Sequence, residues 1–310
     1  MRKLVVVATT LVALIVSAAV PTSAWAEEAS PVASPGAAIV ESAVAVDGRS
    51  LHVACVGSGG PTVLLEGGGP ATDGSTYFVY ALGSDLAAAF GTRVCAYDRA
   101  GTGQSDPDPK GVRTLKEAAA DFLAVMASPD LGCPCVAVGG SLGGSIALMA
   151  LNSDPSESAG LVLLDAVYPG YLDEFIALGS LGSPEAALAS DPYMTGQNEE
   201  KLDLVTGFRQ VAAPARPPGI PVVVVTHGAG EVPGCFPCSA GYPVEKMEAA
   251  WQAGQVRLAA ALGAKLVVAE NTGHDIATEN PGLAIAVTAE VIAAVHDPST
   301  WATPAASPAA

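Results

Sequence analysis

One stretch constrains this chain more than any other: Val136-Ala137-Val138-Gly139-Gly140-Ser141-Leu142-Gly143-Gly144. An apolar, β-branched run ends in four glycines set around one serine, and an amphipathic helix pattern starts directly after it. The spacing predicts strand, sharp turn and helix, with Ser141 at the tip of a G-x-S-x-G turn. Glycine is needed there because the chain passes too close to itself for side chains. The turn also aims the first N–H groups of the helix at whatever the serine attacks, where they can hold an oxyanion. A serine capping a Gly-rich β–α turn would carry the same letters, and the chain has 34 glycines. The weight of the pentapeptide therefore depends on whether the other parts of a nucleophilic site occur elsewhere.

Around this turn, strands and helices alternate. Ile39 to Gly57 holds two apolar runs about Asp47-Gly48, a hairpin signal. Strands are expected at Thr62–Leu65, Arg93–Tyr97, Gly160–Leu164, Pro221–Thr226 and Lys265–Ala269. Helices are expected at Tyr77–Phe90, Thr114–Met126, Met247–Leu262 and from Pro281 to about Val295. Thr114 and Glu117 form a capping box, and Asn280 caps the last helix with Pro281 at its first position. This alternation predicts an α/β fold with a mostly parallel, doubly wound sheet. Ligands in such sheets sit beyond the carboxyl ends of the strands. Residues 166–219 break into short helical pieces rich in Gly and Pro and read as a small lid insertion.

The chain has 310 residues, of which the first 26 read as a secretory signal peptide. Met1-Arg2-Lys3 is basic, Leu4 to Val20 is nearly all apolar, and Ala24-Trp25-Ala26 is a cleavage site. Residues 27–38 read as a disordered leader, 39–297 as one large α/β domain, and 298–310 as a tail. The expectation is a secreted, extracytoplasmic protein with no membrane span once the signal is removed. A formal net charge of −17 opposes any role on nucleic acid or anionic lipid. Six cysteines in an exported chain point to disulfides. Cys235-Phe236-Pro237-Cys238 lacks the second pair that a zinc site would need, so no metal or cofactor is expected.

A serine hydroxyl needs a base within hydrogen-bond reach, and the base needs an orienting acid. The chain has four histidines. His52 lies inside an expected strand, His227 directly follows one, and His296 ends the last helix. His274 lies on a short Gly-containing loop after the last strand, which suits a base reaching over Ser141. The acid has two candidates, both in the order serine, acid, histidine. Glu231 is favoured because Gly228 and Gly230 free its loop; Asp165, at the end of the strand after the nucleophile strand, is the alternative acid. The oxyanion hole would use the backbone N–H of Leu142 and that of Gly68, with Gly69 a further option in the Glu66–Gly69 loop. Glu66 itself is expected to face away and brace that loop, since a carboxylate beside an oxyanion would oppose catalysis.

These residues together resemble the α/β-hydrolase fold superfamily. The resemblance is strongest to bacterial members with a Tyr-Asp-Arg-Ala-Gly-x-Gly-x-Ser segment, here Tyr97 to Ser105. It extends from about Gly59 to Val295, through Leu65-Glu66-Gly67-Gly68-Gly69-Pro70, the turn Gly139–Gly144, the strand ending at Asp165, and Thr272-Gly273-His274. It implies a nucleophile at Ser141, a base at His274, and an acid after the seventh strand, where Glu231 stands, or at the end of the sixth, at Asp165. Glu66 departs from the more common His of the oxyanion loop, and Gly140 from the usual His before the serine. The implied strand order brings Cys55 near Cys95 as a cross-strand disulfide, with Cys235–Cys238 a local one that could exchange with Cys133 or Cys135. The function this implies is an exported serine hydrolase cleaving small-molecule carboxylic esters through an acyl-enzyme. A proline-iminopeptidase-like aminopeptidase and a non-catalytic binding protein on a hydrolase scaffold are the alternatives. Oligomeric state is open.

Overall fold

The computed structural model describes residues 38–69, 82–179, 191–212, 219–228 and 244–301. Eight strands form one sheet in the order β1-β2-β4-β3-β5-β6-β7-β8. They are β1 (Val40–Val46), β2 (Arg49–Val56), β3 (Val63–Glu66), β4 (Val94–Tyr97), β5 (Cys135–Gly140), β6 (Ser158–Leu164), β7 (Val222–His227) and β8 (Lys265–Ala269). β1 and β2 form an antiparallel hairpin, and β2 runs antiparallel to β4. The remaining pairings are parallel. The hairpin turns at Asp47 and Gly48, with φ of 48° and 78°, the left-handed pair that matches the twist of the flanking strands.

Helices cover both faces, which is why β3, β4 and β7 are buried along their whole length and are mostly apolar, with the polar Glu66, Thr226 and His227 buried at their carboxyl ends. On one face lie α2 (Leu115–Met126), α3 (Ser141–Ser153), α4 (Tyr171–Ala177), α5 (Leu204–Gln210) and α6 (Val244–Leu262), sharing a core that includes Phe122, Ile146, Phe175 and Trp251. On the other face α1 (Ser84–Phe90) and α8 (Pro281–His296) pack Leu86, Val287 and Val291 on the sheet, with α7 (Ile276–Glu279) leading into α8. The expected helix caps are present: Glu117 accepts from the backbone N–H of Thr114 at 2.8 Å, and Asn280 accepts from that of Leu283 at 3.1 Å. The α6 helix begins three residues earlier than its apolar pattern, at Val244. The expected Tyr77–Phe90 helix is described only from residue 82.

Cys55 and Cys95 oppose each other across β2 and β4 with their sulfur atoms at bonding distance. The sulfurs of Cys133 and Cys135 also lie at bonding distance. Cys235 and Cys238 lie outside the described residues. Among the described residues, no helix is long and apolar enough to cross a membrane.

Candidate active site

Ser141 is the first residue of α3, directly after β5, and its φ is +50°. A non-glycine residue held in the left-handed region stores strain that its surroundings must maintain. The neighbouring glycines show what maintains it. A Cβ on Gly139 would stand 2.7 Å from the carbonyl oxygen of Gly143, and one on Gly143 would collide with the carbonyl oxygens of Glu66 and Gly67. The absent side chains thus let the β3 end lie directly against the turn. A Cβ on Gly68 would sit 3.4 Å from that of Ser141, so Gly68 adjoins the serine. The N–H of Leu142 belongs to the first turn of α3, where backbone donors have no partner within the helix.

His274 lies between β8 and α7. Its Nε2 is 2.9 Å from Ser141 Oγ, and its Nδ1 is 2.7 Å from Asp165 Oδ2. A carboxylate only accepts, so the proton belongs on Nδ1 and Nε2 is left to accept from the serine. The histidine loop is pinned on two sides: Gly273 N–H donates to Glu279 at 2.7 Å, and Gly228 N–H donates to the Thr272 carbonyl at 3.0 Å.

Asp165 is fully buried just past β6 and has a φ of +47°. Its Oδ2 accepts from both His274 Nδ1 and His227 Nδ1, each at 2.7 Å. Its Oδ1 accepts from Trp251 Nε1 at 2.8 Å and from the backbone N–H of His227 at 3.2 Å. Burial alone would raise its pKa, but the hydrogen bonds and charges of the two imidazoles outweigh that and hold it below the usual range. Of the two acids read from the sequence, Asp165 therefore contacts His274, while Glu231 lies outside the described residues.

Two further groups escaped the sequence reading. One is Arg99, buried just after β4. It donates to Glu66 at 2.6 Å, to the carbonyls of Gly67 at 2.7 Å and Gly68 at 3.2 Å, and to that of Gly69. It also grips both carboxylate oxygens of Glu200 at 2.7 Å. In a trans peptide the N–H points opposite to the carbonyl. Turning the Gly67 carbonyl onto Arg99 therefore turns the Gly68 N–H to the far side of that peptide. Glu66 is joined to the loop through Arg99, and burial pushes its carboxyl up to about 7 despite the Arg99 charge.

The other is His227, the last residue of β7, with no exposed surface. Its Nε2 faces Glu248 of α6 at 2.9 Å while its Nδ1 faces Asp165. Burial would lower its pKa, but Asp165 and Glu248 together raise it to about 9. The signal for this pair was present in α6: Glu248, Trp251, Gln252 and Gln255 stand at helical spacing on one face, and polar groups on a core-facing stripe need buried partners. Donor atoms of Asp165, His227 and His274 lie within 4.8 Å of one another. Both nitrogens nonetheless meet the same carboxylate oxygen at 2.7 Å, which is hydrogen-bond geometry, and a metal would have to displace both ring protons.

A family described as alpha/beta hydrolase fold matches residues 61–198. Among solved structures, 2-hydroxy-6-oxo-6-phenylhexa-2,4-dienoate hydrolase from a Rhodococcus species is 18% identical, with a TM-score of 0.56 over 81% of this chain and 97% of that one. A proline iminopeptidase-related protein from Thermus thermophilus is also 18% identical, with a TM-score of 0.57 over 83% and 98%. Alpha/beta hydrolase domain-containing protein 10 from mouse is 15% identical, with a TM-score of 0.59 over 82% and 98%. No curated protein matches the chain. At such identities the likeness is one of fold, and it agrees with the strand order and with the family match over residues 61–198: the chain has the alpha/beta hydrolase fold.

Proposed function

We propose that the protein is an exported serine hydrolase that cleaves carboxylic esters of small molecules through an acyl-enzyme. One observation carries this reading: an unbroken hydrogen-bond path from Ser141 Oγ through His274 to Asp165, at 2.9 and 2.7 Å. Ser141 attacks the ester carbonyl as His274 Nε2 takes its proton. Asp165 keeps the His274 ring in the tautomer that can do so and offsets the imidazolium charge. The N–H groups of Leu142 and Gly68 hold the developing oxyanion, a contribution of about a hundredfold or more per donor in enzymes of this kind. His274 returns the proton to the departing alcohol, and water then repeats the sequence on the acyl-enzyme. Export is supported by the basic and apolar N-terminus and by the paired cysteine sulfurs.

The test is labelling by a fluorophosphonate together with hydrolysis of short-chain p-nitrophenyl esters. The wild-type protein is expected to do both and Ser141→Ala neither. A wild-type protein that resists labelling would overturn the reading in favour of a binding protein on this scaffold. Aminoacyl amides in the same panel separate the esterase from an aminopeptidase.

A further inference from the structure

His227 is not needed to write the reaction, yet it shares one carboxylate oxygen with His274. Its ring lies between Asp165 Oδ2 at 2.7 Å and Glu248 Oε2 at 2.9 Å, and neither carboxylate can donate. Both ring nitrogens must then carry protons for both contacts to be hydrogen bonds. The rest of the pocket supports that state. Gln252 Nε2 donates to Glu248 Oε1 and to the His227 carbonyl, each at 2.9 Å, and so fixes the Glu248 carboxylate and the strand end together. Trp251 packs its ring 6.3 Å from that of His227 and 5.8 Å from that of His274. Among the described residues, the titratable groups hydrogen-bonded to His227 are Asp165 from the end of β6 and Glu248 from α6; His274 stands across Asp165 from it.

We propose that His227 and Glu248 are a positioning pair for the site: His227, held as a cation by Glu248, sets how much negative charge Asp165 presents to His274. The proposal rests on the serine-hydrolase reading. Its logic is electrostatic. A cation on Oδ2 opposes the attraction between Asp165 and a protonated His274, and so favours the base form of His274. Glu248 offsets part of that cation from the other side. Together with Asp165 the trio carries a single net negative charge, enough to orient the base without holding it protonated. Full burial of His227 and Asp165 leaves little water to screen these effects.

The two halves of the pair act in opposite directions, which makes the test signed. The first readout is ring NMR of His227. Both ring N–H protons are expected to persist at pH 8 in the wild-type protein, and in Glu248→Gln the one on Nε2 is expected to be lost at a lower pH than in wild type. A His227 that is neutral at pH 7 overturns the proposal whatever the activity. The second readout is the fluorophosphonate labelling rate against pH. His227→Gln keeps an N–H donor for Asp165 but removes the charge, and its acid limb is expected to move up by about one pH unit. In Glu248→Gln, at the lower pH of the acid limb where His227 still carries both protons, the cation is uncompensated, and that limb is expected to move down by a similar amount. A loss of stability common to both variants cannot produce opposite shifts. Limbs that stay in place, or that move together, overturn the pair's role while leaving the serine-hydrolase reading intact. A wild-type protein that is not labelled at all sinks that reading and the tuning with it.

Discussion

The guanidinium of Arg99 lies 2.6 Å from the carboxylate of Glu66, beneath the loop that faces Ser141. One buried cation therefore fixes three successive carbonyls of that loop, and through them the direction of its N–H groups. Lysine would supply the charge but not the planar fork of donors. Arg99→Lys is expected to lower kcat by about a hundredfold, the size of losing one oxyanion donor, with a smaller change in KM. An unchanged kcat with only a lower melting temperature would show that the loop keeps its geometry without Arg99.

Glu66 gives this region a pH dependence of known sign. Its carboxyl is pushed up from 4.5 to about 7 in the folded protein, burial being the largest cause. Between those values the folded state binds more protons than the unfolded state, so the stability that Glu66 contributes at low pH is lost as pH rises through about 7. Glu66→Gln removes the titration. Its stability relative to wild type is expected to rise by about 3 kcal/mol between pH 4 and pH 8. Urea unfolding of both proteins across that range checks it, and a difference that does not vary with pH refutes it.

The acid can be assigned by comparing two amides. Asp165 accepts from both histidines, and asparagine would present an N–H in place of one acceptor. Asp165→Asn is expected to reduce kcat/KM on p-nitrophenyl esters by about 10,000-fold, by favouring the wrong tautomer of His274. Glu231→Gln is expected to change it by less than about tenfold. The reverse ranking would move the acid to Glu231.

The glycines of the turn differ in what they tolerate. A Cβ on Gly143 would strike the carbonyls of Glu66 and Gly67, whereas one on Gly140 would have Leu164 O as its nearest neighbour, at 3.8 Å. Gly143→Ala is expected to cost about 1–3 kcal/mol and most of the activity, because the backbone that must move is the Glu66–Gly69 loop, the proposed oxyanion loop. Gly140→Ala is expected to cost little of either. Denaturant midpoints and ester turnover of the two variants, side by side, test the distinction.

The turn at Ser141, the helix caps and the alternation of strands and helices were legible in the sequence because each is set by residues close together in the chain. His274 was legible too, as a histidine on a glycine-bearing loop at a strand's carboxyl end. The acid reads from the sequence as Glu231, with Asp165 as the alternative, and the structure puts Asp165 on His274. Asp165 and Glu231 both follow the serine and precede the histidine, and only side-chain reach across the sheet separates them. Arg99 lay in plain view inside Tyr97–Ser105, but its grip on Glu66 and Glu200 spans sequence separations of 33 and 101 residues that no local pattern encodes. His227 was seen as a strand-end histidine; its contact with Glu248 joins residues 21 apart on two different elements, which no local pattern encodes.

Glu200 belongs to the insertion between β6 and β7, yet it holds the same guanidinium that shapes the loop beside Ser141. The insertion is accordingly a poor unit of exchange. Grafting a relative's segment here to alter substrate preference would strip Arg99 of its second carboxylate unless an acid were restored at that point. A chimera designed only around the mouth of the site would then disturb the loop beside Ser141, and the defect would look like a change of specificity.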